Sequence, residues 1–143
     1  MNQRWKAVHF KNQLLFAVMK RLAGDDVEIS FEGDLSSLPL LRMPGASREE
    51  SNVLKRNTLQ PRQDFVILPM GPDAIRSIQS AIGGTIPRSI LHIQVSRAGK
   101  LEFGAYDRFH PEALFFGESL GDDFLNDQIA RGILDMATDM KPY

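Results

Sequence analysis

The stretch ILHIQVSRAGKLEFGAYD, residues 90–107, decides the fold. Ile90–Ser96 and Lys100–Asp107 have strand composition. Arg97-Ala98-Gly99 between them reads as a three-residue hairpin loop with Gly99 in the left-handed position. Such a loop pairs Ser96 with Lys100. The register that follows sets Leu91, Ile93 and Val95 opposite Ala105, Phe103 and Leu101, an apolar face. The other face carries Ile90, His92 and Gln94 opposite Tyr106, Gly104 and Glu102. A one-residue slip would mix the two sets, so the pattern itself selects the register.

Working outward, Asp64–Pro69 is an apolar run without alternation, which predicts a central strand covered on both faces. Gly71-Pro72-Asp73 opens a helix whose buried stripe is Ile75, Ile78 and Ile82, and Gly83-Gly84 stops it. Asn12–Ala23 has apolar residues at three- and four-residue steps and reads as a helix closed by a left-handed Gly24. Where that helix starts, between Trp5 and Asn12, the pattern leaves open. Val27, Ile29 and Phe31 alternate with polar residues as a half-exposed strand does. Ala113–Phe116 reads as a short strand. A last helix capped by Asp122 or Asp123 runs to about Thr138, with Leu125, Ile129, Ile133 and Met136 inward. Residues 34–62 are irregular and, with few apolar anchors, are expected to be the mobile segment. The capping-box spacing Ser47…Glu50 predicts one short helix there, reaching about Asn57.

The sum is a single α+β domain over residues 1–143. It is a two-layer sandwich, about three main helices plus one short helix against a mostly antiparallel sheet of about five strands. A chain of 143 residues with 43 % hydrophobic and 24 % charged residues is long and apolar enough for one real core. The absence of cysteine excludes disulfides, thiolate metal sites and a thiol nucleophile. Net charge is −1, but its layout is uneven: residues 1–23 hold five bases and no acid, and residues 25–34 five acids and no base. No apolar run is long enough for a signal core or a membrane span, so a soluble cytoplasmic protein is expected.

The motifs that could carry chemistry are few. Gly117-Glu118-Ser119-Leu120-Gly121 has the spacing of a nucleophile elbow, which would make Ser119 the nucleophile. In that arrangement the acid and histidine follow the serine. Here the last histidine is His110, and only 22 residues follow Gly121. The loop Asp107–Glu112 offers Asp107, His110 and Glu112, with His92 nearby, for proton transfer or metal ligation, although the spacing fits no ligand motif. Arg42, Arg48, Lys55, Arg56 and Arg62 could meet phosphate. The stretch between Phe31 and Phe65 lacks the aromatics that stack bases, which argues against nucleic acid. No cofactor motif and no metal motif occurs.

These readings favour a non-enzymatic protein-interaction or regulatory module. It would bind a protein partner, or a second copy of itself as a homodimer, through an exposed hairpin face of Ile90, His92, Gln94, Glu102 and Tyr106. The alternative is a small hydrolase or metal-dependent enzyme built on the 107–112 loop with His92.

Overall fold

The computed structural model describes residues 4–8 and 10–137. In chain order the elements are β1 (Arg4–Val8), α1 (Lys11–Leu22), β2 (Val27–Gly33), a 3-10 turn (Pro39–Arg42), β3 (Asp64–Pro69) and α2 (Ala74–Ile82). There follow β4 (Ile90–Arg97), β5 (Lys100–Ala105), a second 3-10 turn (Pro111–Ala113), β6 (Leu114–Phe116), α3 (Asp122–Ala130) and β7 (Leu134–Ala137). Five strands form an antiparallel sheet in the order β3-β2-β4-β5-β6, and β1 pairs with β7 in a separate two-stranded sheet. The fold is α+β, with three helices and a five-stranded antiparallel sheet among the described residues.

Alternation along the strands divides the interior in two. Ile29, Phe31, Val66, Leu68, Ile93, Val95, Phe103 and Ala105 face the helices and join Leu14, Leu15, Val18, Met19 and Leu22 of α1, Ile78 and Ile82 of α2 and Phe124 of α3 in the main core. The opposite sheet face carries Phe65 and Ile67, which close on Leu54 with Val53 and Leu101 at the margin. A continuous apolar run is therefore right for β3, because both its faces are covered. Its place is wrong: β3 is an edge strand, not a central one. Ser47 blunts that edge by exchanging two backbone hydrogen bonds with Ile67, at 2.9 and 2.7 Å.

Residues 47–57 form no helix. The Ser47 side chain accepts from the Glu49 amide at 3.2 Å, a local turn that competes with helix formation, while its main chain is held by β3. The short helical piece lies instead at Pro39–Arg42. Gly24 is not left-handed either; α1 ends at Leu22 with Ala23 as its cap, and the Gly24 amide donates to the Met70 carbonyl at 3.1 Å. The last helix stops at Ala130. Gly132 at φ 73° lets the Ile133 amide fold back on the Gln128 carbonyl at 3.0 Å, and the chain leaves as β7. Ile133 is thus buried beyond the helix rather than on its face, and Thr138 lies outside the described residues.

The hairpin does not keep the expected register: Ile93↔Ala105, Gln94↔Gly104 and Val95↔Phe103 pair, a two-residue shift from Leu91, His92 and Ile93 opposite those partners, and because the shift is even these residues keep their faces. Closure differs. Arg97 pairs with Lys100 around Ala98 and Gly99, whose φ values of 52° and 76° give a two-residue turn. The residue in excess is taken up next to Val95↔Phe103, where Ser96 pairs with Leu101 and Glu102 has no partner. A second bulge sits between β2 and β4: Glu32 pairs with His92 and Gly33 with Ile90, which passes over Leu91. Gly33 is obligatory there, because at φ 151° a Cβ would stand 2.1 Å from the Ser89 carbonyl.

Candidate functional site

The polar hairpin face is interior. His92, Gln94, Ser96 and Glu102 are all buried, as are Ser30 and Glu32 beside them on β2. The irregular segment of the same chain, anchored there by the fully buried Leu54, covers the part of this face around Glu32 and His92. Glu32 accepts from the amides of Asn57 at 2.7 Å and Thr58 at 3.1 Å. The Thr58 hydroxyl meets His92 Nε2 at 2.7 Å, and His92 Nδ1 accepts from the Asp107 amide at 3.1 Å. A ring nitrogen that accepts from a backbone amide carries no hydrogen, so the hydrogen sits on Nε2, which donates to the Thr58 hydroxyl. The Ser30 hydroxyl donates to Gln94 Oε1 at 3.3 Å, and Gln94 Nε2 donates to the Tyr106 hydroxyl at 3.1 Å. The Tyr106 ring lies over Gly104, with its centroid 5.8 Å from that of His92.

Three of the five expected binding residues, His92, Gln94 and Tyr106, are therefore brought together, the first two buried and Tyr106 half-buried at their margin. The other two are displaced by the bulges. Leu91 is passed over, so Ile90 turns into the main core. Glu102, unpaired, turns to the 117–121 turn and accepts from the Ser119 amide at 2.9 Å. The exposed face expected from the alternation does not exist, because alternation shows which residues share a side and not what lies over it.

The catalytic candidates do not converge. His92 has both ring nitrogens engaged. His110 Nδ1 accepts from the Glu112 amide at 3.1 Å, a cap on the short turn that follows. The amide after Ser119, which an elbow would use as oxyanion donor, is engaged instead: Leu120 N–H donates to the Gly117 carbonyl at 3.1 Å. Among the described residues no three His, Cys, Asp or Glu side chains are grouped so as to hold a metal ion. Asp107, Arg108 and Phe109 form a left-handed turn, with φ of 51°, 57° and 64°, closed by the His110 amide on the Tyr106 carbonyl at 3.0 Å. Left-handed geometry costs roughly 1–2 kcal/mol per residue. It is held here by the buried Phe109 ring, by the Arg108 amide on the Leu91 carbonyl at 2.9 Å, and by Arg108 Nε on the Arg88 carbonyl at 2.6 Å. Its result is to aim the Asp107 amide at His92.

Of the basic residues in 42–62, Arg48, Arg56 and Arg62 line a cleft of about 210 Å³ beside Phe65. Arg56 lies over the Phe65 ring at 5.1 Å and within 3.7 Å of Glu50, so it is already partnered. Arg42 and Lys55 stand apart from that cleft.

The larger concavity, about 620 Å³, lies between α1 and α3. Phe124, Gln128 and Ile133 form its buried floor, with Phe16 and Ala17 half-buried beside them, and the exposed rim includes Lys20, Arg21, Asp127 and Arg131. Arg131 pairs with Asp127 at 2.8 Å; Lys20 and Arg21 have no acidic partner among the described residues. Gln128 Oε1 is buried without a hydrogen-bond partner. An orphaned buried acceptor costs roughly 1–3 kcal/mol, so it is rare and informative. Periodicity misses this site because it ranks α3 by apolar residues. The buried pair is Phe124 and Gln128, one of them polar, while Leu125 and Ile129 are only half-buried.

Compared with protein-family models, with curated proteins and with solved structures, the chain shows no significant match in any of the three.

Proposed function

We propose that the chain is a non-enzymatic regulatory binding module that takes a small ligand in the groove between α1 and α3. One observation carries this reading: the buried Gln128, whose side-chain oxygen has no partner, stands in the lining of an open concavity. Its volume falls within the range of about 300–1,000 Å³ typical of small-molecule sites, and its apolar floor with a few polar groups matches their usual lining. The inward polar groups of the hairpin, by contrast, hold one another and the covering segment. No helix among the described residues is long and apolar enough to cross a membrane, and a cysteine-free chain suits the cytoplasm.

The test is an amide chemical-shift titration of the 15N-labelled chain with a set of small aromatic fragments. Shifts should cluster at Ala17, Phe124 and Ile133 and vanish in Ala17→Trp, which fills the groove. Shifts confined to other regions, or none, refute the reading. A second reading, protein contact, is favoured by the exposure of Leu59 (78 %) and Phe115 (43 %). If those residues join two copies, the solution mass should be that of a dimer and fall to a monomer in Leu59→Ser/Phe115→Ser. A monomeric wild type disposes of it.

A further inference from the structure

We infer that the α1–α3 groove takes a phenolic carboxylate, with its ring on Phe16 and Phe124, its carboxylate at Lys20 and Arg21, and its hydroxyl donating to Gln128. The inference rests on the binding-module reading and names the ligand class. Three features of the groove each ask for one part of such a molecule.

Gln128 Oε1 is an acceptor with nothing to accept from, so the ligand must bring a donor. That oxygen is covered in the structure; a half-turn about the broad terminal torsion presents it to the groove and sets the amide nitrogen in its place. Around it Phe16 and Phe124 offer two aromatic surfaces, which favour a flat ring over a flexible chain. At the rim Lys20 and Arg21 are exposed and lack acidic partners among the described residues. Bases in the last turn of α1 also suit the helix dipole, which alone would explain them. The dipole does not explain the buried acceptor, nor why the two features open onto one groove. A donor at one end, an aromatic body and an anion at the other end meet all three demands.

The experiment uses the whole chain and three probes: 3-(4-hydroxyphenyl)propionate, 3-phenylpropionate and the methyl ester of the first. Affinities are read from the same amide shifts. The hydroxylated acid should bind about ten-fold more tightly than the unsubstituted one, because a site with a polar group waiting for a donor discriminates against a ligand lacking it. The ester should bind more weakly than the acid. Gln128→Met, close in volume, should bring the two acids to equal affinity while the groove amides still shift. If Gln128→Met proves misfolded by its melting curve, Gln128→Leu takes its place. Lys20→Ser/Arg21→Ser should weaken both acids alike and remove the salt dependence of binding. If the two acids bind the groove equally in the unaltered chain, the ligand class is wrong and the module reading stands. If neither the probes nor the fragments move the groove amides, both are wrong. Shifts of those amides on dilution of the ligand-free chain, with a change in solution mass, would mean that a second copy occupies the groove, and the inference fails.

Discussion

Leu54→Ala tests how the polar interior is kept closed. Leu54 is fully buried against Phe65 and Ile67, close to where the same segment meets the sheet through Glu32 and His92; Ser47 on Ile67 and Arg56 over Phe65 hold it further along. Truncating a buried leucine costs roughly 2–5 kcal/mol, and least where the hole can collapse. The segment has no regular structure to resist collapse, so about 2 kcal/mol is expected. At a factor of ten per 1.4 kcal/mol, this is a roughly 30-fold faster exchange of amides exposed when the segment lifts. The amides to follow are Asn57 and Thr58, whose acceptor is Glu32. Hydrogen exchange under native conditions reads them directly. The control is Ile78→Ala in α2, on the far side of the sheet. If the segment opens by itself, the α2 contact is intact in both the open and closed forms. The control then speeds exchange in β4 but leaves Asn57 and Thr58 unchanged. Unchanged exchange in Leu54→Ala, or equal acceleration of both regions in the control, would refute the idea of a separately opening cover.

Three further outcomes follow from the geometry. Gly99→Val should lower stability by roughly 1–2 kcal/mol through the backbone alone, since φ is 76° and a Cβ would meet nothing within 4 Å; an unchanged denaturation midpoint contradicts the two-residue turn. Tyr106→Phe should cost roughly 1–3 kcal/mol in denaturant titration, because it leaves the Gln94 amide without its acceptor; no loss would mean the network is open to water. The Ser36 hydroxyl, then its amide, hold the Asp34 carboxyl below its ordinary value of 3.8. A lowered folded value means the contribution is complete above that ordinary value and disappears as pH falls through the lowered one. Asp34→Ala should therefore flatten stability against pH in the acid range, and an acid-unfolding curve identical to wild type would exclude this.

Much of the fold is legible because it is written in local period. The three-four spacing of α1, the isoleucine stripe of α2 and the alternation of the hairpin each need only a face and a turn. The errors arise where distant chain decides. An apolar run covered on both faces looks the same at the centre of a sheet and at an edge shielded by Ser47. The Ser47–Glu50 spacing suits a helix cap, yet pairing with Ile67 takes the serine elsewhere. The strand β7 exists because β1 lies beside it, a pairing between opposite ends of the sequence. The candidate site divides in the same way. Alternation correctly joins His92, Gln94 and Tyr106, but two bulges, invisible in a period of two, move Ile90 and Glu102 away. The α1–α3 groove has no local signal at all: it is formed by helices over a hundred residues apart, and its telling residue is a glutamine.

The turn at Asp107–Phe109 has a consequence in chirality. Its three successive positive φ values make the backbone there a fragment of mirror-image helix, the shape that D-residues adopt without strain. A semisynthetic chain carrying D-arginine at position 108 would relax the local backbone while redirecting only an exposed side chain, at the loss of its bond to the Arg88 carbonyl. The same inversion at Phe109 would swing its ring out of the core it now fills. Between neighbours in one turn, handedness is thus a backbone matter at one position and a packing matter at the next.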